Sequence, residues 1–236
     1  MGTLRDFLKH ESAFARRQLA RLGDREHDID LVLSVAHLTT RFSSPLMEGG
    51  GANLGAARLL VDVAVFVEQA ILCTLRAQPR LGWASLRVAA EATKNLECIR
   101  LEPEVCNKWI AIGFAKTRQE ADQAQRVFAN AKKAVAHTVI TRMCQEVMWL
   151  SSMLGSHANA AALGSMGPMP AKPDELSIAV PVRVTDEETL DWHLDQLVRH
   201  AARITDATAA IRMISLDETE KVELERWRYQ LRRLTG

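Results

Sequence analysis

Apolar residues recur every three or four positions along most of this chain, the period of an amphipathic helix, and the breaks between runs predict about six to eight helices. The first spans about Leu4 to Leu22 and stops at Gly23, a residue suited to the left-handed position after a helix. Asp24 opens a second that reaches roughly Phe42, and the short link makes the two an antiparallel pair. Ser43 to Asn53, with Pro45 and three consecutive glycines, is expected to be a flexible connection. Leu54 to Ala77 is apolar on most sides and belongs near the middle of a bundle; the turn Gln78 to Gly82 ends it. Trp83 to about Leu101 forms the next helix, and Pro103 suits the first turn of a short one carrying Trp109. The longest element is expected from about Thr117 to Leu154. Its apolar positions, from Phe128 through Ala131, Val135, Val139, Met143, Val147 and Leu150 to Leu154, form one buried stripe, with Gly155 as its cap.

One stretch departs from the helical period. From Leu176 to Val184 every second residue is a branched aliphatic, the alternation of an extended strand that Pro181 confines to an edge. Before it, Ser156 to Glu175 reads as a long loop rich in Ala, Gly, Met and Pro. Helix resumes at Thr185, an N-cap with Glu188 three residues on. Leu190, Leu194, Leu197, Ala201, Ile204, Thr208 and Ile211 then make a near-heptad seam. Such a seam either packs inside the chain or joins a protein partner or a second copy. A final helix of mixed charge runs from about Glu218 to Leu234. The fold class is therefore all-α, a multi-helix bundle with one short extended strand near 176–184. Its expected parts are an N-terminal helical pair (1–44), a central bundle (54–200) and a C-terminal packing or assembly segment (201–236).

Composition narrows the function classes. The 236 residues carry 30 basic and 29 acidic side chains, a net charge of +1, which does not fit a nucleic-acid coat. The aromatic share is 5%, with Tyr229 the single tyrosine and five tryptophans spread singly, so no stacking platform for single strands stands out. No apolar leader opens the sequence and its most apolar run is interrupted by Asp62, Glu68 and Gln69, so a cytoplasmic protein with no membrane contact is expected. Cys73, Cys98, Cys106 and Cys144 form no Cys-x-x-Cys pair and read as buried thiols.

Several patterns could carry chemistry, and most have plainer explanations. Gly49 to Gly55 precedes a helix but lacks the strand and the Gly-Lys-Ser/Thr ending of a phosphate loop. Asp24, His27 and Asp30 share a helix face without the Glu-x-x-His half of a di-metal site. His193 and His200 lie about 10.5 Å apart along one helix, too far for one ion. His137 sits on a polar stripe with Lys133, Thr141 and Gln145. No metal and no cofactor is expected. The combination left is Arg87 and Glu91, one turn apart on one helix face, with Ser152, His157 and Asn159 at the end of the longest helix. There the helix dipole favours a protonated histidine.

The residues Leu86, Arg87, Glu91 and Ala92, then Glu102, Pro103 and Glu104, Trp109, and finally Ser152, His157 and Asn159 resemble a group of uncharacterised bacterial all-helical proteins loosely related to HEPN-like domains. The likeness covers about Leu54 to His200. HEPN ribonucleases carry Arg-x(4–6)-His, and the two pairs with that spacing, Arg5 with His10 and Arg21 with His27, are both N-terminal. About two such pairs would arise by random placement. The resemblance implies an accessory or regulatory protein of a defence or stress system, in which Arg87, Glu91, Ser152, His157 and Asn159 recognise a phosphate or nucleotide-like ligand or a partner protein. The alternatives are a metal-independent ribonuclease or toxin, with His157, Arg87 and Glu91 as candidate catalytic groups, and a structural subunit joined through Leu190 to Ile211.

Overall fold

The computed structural model describes residues 13, 16–41, 43–47, 51–113, 115–135, 137–156, 186–211 and 216–235. Among these the chain is a multi-helix bundle of nine α-helices with no strand. They are α1 (Arg25–Arg41), α2 (Ser43–Met47), α3 (Gly51–Leu75), α4 (Pro79–Leu101), α5 (Glu104–Gly113), α6 (Arg118–Val135), α7 (Val139–Ser151), α8 (Glu187–Ala210) and α9 (Glu218–Leu234). Residues 16–21 are also helical, and a π-helical turn, Ser152–Ser156, continues α7. The expected strand at 176–184, most of the expected loop before it, and the start of the expected first helix lie outside the described residues.

Local chemistry explains most boundaries. Gly23, at φ +53°, adopts the left-handed conformation expected between the first two helical segments. α3 ends in a Schellman motif: the Ala77 N–H donates to the Thr74 carbonyl and the Gln78 N–H to the Cys73 carbonyl, both at 2.9 Å. Ala77 holds the left-handed position at φ 57°, a role usually given to glycine. Pro79 then opens α4, where its missing N–H costs nothing, so α4 starts four residues before the expected Trp83. Within the expected Ser43–Asn53 connection, Ser43–Met47 is helical and α3 already begins at Gly51.

α3 lies near the middle of the bundle as expected, packed against α1, α2, α4, α5 and α8, and α4 shares that place: it packs against α3, α5, α6, α7, α8 and the π turn, and Trp83, Leu86, Leu96 and Ile99 are buried along it. Both helices also leave apolar side chains exposed, Leu54, Val65 and Leu72 on α3 and Leu81, Val88 and Leu101 on α4. The expected 117–154 helix is two helices. Thr138 stops the first run by capping the second, its hydroxyl accepting from the Thr141 N–H at 3.1 Å.

The seam from Leu190 to Ile211 is buried inside the chain, where α8 packs against α1, α3, α4 and α9. Among the described residues these seam side chains are spent on the core of the chain itself. Asp186, one residue later than Thr185, caps α8 by accepting from the Thr189 N–H at 2.7 Å. Arg21 and Arg25 fasten the N-terminal region to α8 through Glu187, Asp191 and Asp195 at 2.7–3.6 Å. One continuous apolar cluster takes side chains from Leu22 on the N-terminal side to Leu231 in α9. The four cysteines are free and buried, and burial pushes the Cys144 thiol up to about 12. No helix among the described residues is long and apolar enough to cross a membrane.

Candidate functional site

Among the described residues, a groove of about 790 Å³ lies where α7 and the π turn meet α8. That is within the size of small-molecule sites, about 300–1,000 Å³. Arg142, Gln145, Trp149 and Ser152 recur at three-, four- and three-residue steps, so they line one edge of a single helical face; Met148, Leu150 and the carboxylate of Glu146 flank them and His200 closes the far side from α8. Trp149 is 65% exposed, an indole left in solvent although the core is adjacent. The Arg142 side chain makes no ion pair among the described residues. Ser152 donates its hydroxyl to the Met148 carbonyl at 2.8 Å, which leaves its oxygen free to accept.

The groove is held by polar pins to the rest of the bundle. Lys94 donates to the Gln145 amide oxygen at 3.0 Å, and Arg203 to Glu146 at 3.1 Å. Trp83, buried in α4, donates from Nε1 to Nδ1 of His193 at 3.0 Å, and its ring centroid lies 6.0 Å from that of His200. The indole thus separates the two histidines that share a face of α8. Burial, reinforced by Arg203 and Arg199, lowers the His200 pKa to about 4, so its imidazole is neutral at neutral pH.

The π turn is set by a close approach. A Cβ on Gly155 would lie 2.6 Å from the Trp83 Cβ, 2.8 Å from the Arg80 carbonyl oxygen and 2.9 Å from the Ala84 nitrogen. Gly155 lets the turn lie directly on the start of α4; it sits inside the π turn and is not the helix cap expected from the sequence. Widened turns of this kind often sit at functional positions.

Of the residues singled out in the sequence, Ser152 lines the groove, whereas Arg87 and Glu91 do not. Arg87 is half-buried on α4, and Glu91 is exposed, where its charge favours the Lys132 ammonium of α6. Lys132 donates to Asn95 at 2.9 Å and lies 4.3 Å from the Phe128 ring centroid; burial lowers its pKa. His157 and Asn159 lie outside the described residues. Among the described residues no cluster of His, Cys, Asp or Glu could hold a metal ion.

Arg142 and Trp149 were not singled out in the sequence, and His200 was weighed there only as a metal ligand. The available signal was Trp149, a tryptophan off the apolar stripe of its own helix. The chain matches no protein-family model, and comparison with curated proteins and with solved structures finds no match either, so the functional argument rests on fold and groove geometry.

Proposed function

We propose that the protein is a non-catalytic helical binding protein whose α7–α8 groove takes a ligand with a flat apolar body and an anionic group, the chemistry of nucleotides. The observation that carries this reading is an exposed indole, Trp149, on the same groove edge as the guanidinium of Arg142, which has no ion-pair partner among the described residues. A planar ring stacks on the indole, a phosphate takes two parallel hydrogen bonds from the guanidinium, and Gln145 and Ser152 supply neutral polar contacts.

Binding is favoured over turnover by the groove's histidine. With its pKa near 4, His200 carries almost no proton at neutral pH and is poorly matched to shuttling one, and no nucleophile among the described groove residues is paired with a base. Titration with ADP, followed by tryptophan emission, tests the reading. The signal should change at ligand concentrations below about 1 mM in the wild type and be largely lost in Trp149→Phe. An identical titration curve in the two proteins would place the ligand elsewhere.

A further inference from the structure

α9 (Glu218–Leu234) buries only one side of itself. Leu224 and Leu231 are buried, while Val222 (70% exposed) and Tyr229 (66%) point the opposite way. At about 100° per residue, Glu218, Val222, Glu225, Arg226, Tyr229 and Arg233 fall on one outward stripe. A shallow cavity of about 590 Å³ opens along one side of the stripe's N-terminal half, lined by Glu218, Val222 and Arg226 of the stripe and by Thr219, Glu223 and Trp227 of the adjoining flank.

The charges are sorted along the helix. Glu218, Glu220, Glu223 and Glu225 occupy the first half and Arg226, Arg228, Arg232 and Arg233 the second, with Lys221 the exception. Glu218 is the partner of Lys221 at 2.6 Å yet remains widely exposed, and neither Arg226 nor Arg233 forms an ion pair among the described residues. A helix charged in this way is complementary to itself in one orientation. Parallel pairing sets Glu218 on Glu218 and Arg233 on Arg233. Antiparallel pairing about a two-fold axis between residues 225 and 226 instead sets Glu218 against Arg233 of a second copy, Val222 against its Tyr229, and Glu225 against its Arg226.

We propose that the outward stripe of α9 is a homodimer interface, in which two copies pair antiparallel and the Tyr229 ring of each enters the cavity beside Val222 of the other. The contact is isologous, so each favourable pair occurs twice. One helix face buries less than the about 1,600 Å² of a standard stable interface, so the dimer is reversible, with a dissociation constant on the order of 10–100 μM.

Sedimentation velocity over a concentration series tests it with four samples of the full chain. The wild type should move from monomer to dimer as concentration rises. Glu218→Arg and Arg233→Glu each bring like charges together on both sides of the axis, and each should dimerise at least about tenfold more weakly. Their equimolar mixture should regain wild-type association, because each then faces its opposite. Both residues are exposed, and circular dichroism should show unchanged helix content. A wild type that stays monomeric throughout, single variants that associate as the wild type does, or a mixture that fails to recover would each overturn the proposal.

Discussion

Replacing Gly155 by alanine tests whether the π turn is fixed by contact with α4. The new methyl would meet the Trp83 Cβ at 2.6 Å and two backbone atoms, the Arg80 oxygen and the Ala84 nitrogen, at 2.8 and 2.9 Å. Ordinary contacts at these atoms are several tenths of an ångström longer, and backbone cannot rotate out of the way. Overpacking of this kind costs about 1–3 kcal/mol, and rigid neighbours put Gly155 at the upper end. Alanine's better helix propensity returns about 0.5–1 kcal/mol. The expected net loss is about 2 kcal/mol, a fall in Tm of roughly 4–8 °C for a chain of this size. Gly113→Ala, where nothing lies within 4 Å of the added methyl, is the matched control and should be neutral or slightly stabilising. Thermal and urea unfolding of both variants measure the difference. Equal stabilities for Gly155→Ala and Gly113→Ala would refute the close-approach account of the turn.

Arg100→Ala should cost about 2–3 kcal/mol in urea unfolding, because it leaves Glu97, whose side chain is only 2% exposed, without the two hydrogen bonds at 2.7 and 3.0 Å that satisfy it; a loss under about 0.5 kcal/mol would contradict this. His200 sets part of the acid limb of stability. The unfolded chain takes up its proton near pH 6.5 and the folded chain only near 4, so this contribution is complete above about pH 6.5 and is lost as pH falls toward 4. The loss should be about 2 kcal/mol, allowing for the part of the ring that solvent reaches, and His200→Gln should flatten that stretch of the curve; an unchanged acid limb would count against it. Asp217→Ala removes the capping box with Glu220 and should lower stability by about 1 kcal/mol, measured the same way, whereas no change would show that the cap is redundant. Purified protein incubated with single-stranded RNA should leave it intact, and cleavage abolished by His200→Gln would replace the binding reading with a catalytic one.

Much of the architecture was legible because helix periods and caps are local. The all-α class, Gly23 and the positions of α1, α5, α8 and α9 follow from nearby residues. The break at Thr138 was hidden because the apolar stripe keeps its three-and-four spacing across the junction, so period alone cannot separate one helix from two. The Leu190–Ile211 seam showed that α8 packs but not against what; its neighbours come from α1, α3, α4 and α9. The groove was illegible for the same reason. His200 lies 58 positions beyond Arg142, and Trp83, which stands between His200 and His193, comes from a helix more than 100 residues earlier. Glu91 lies on α4, but the cation its charge favours, Lys132, arrives from α6.

The central claim, that the α7–α8 groove recognises an anionic group through Arg142, is tested most directly by calorimetric titration of ADP and adenosine into the wild type and Arg142→Ala. The account predicts that ADP binds the wild type at least about tenfold more tightly than adenosine does, and that Arg142→Ala erases this preference, a difference of about 1.4 kcal/mol. A preference for ADP that survives in Arg142→Ala, or the absence of ADP binding at about 1 mM, would contradict it.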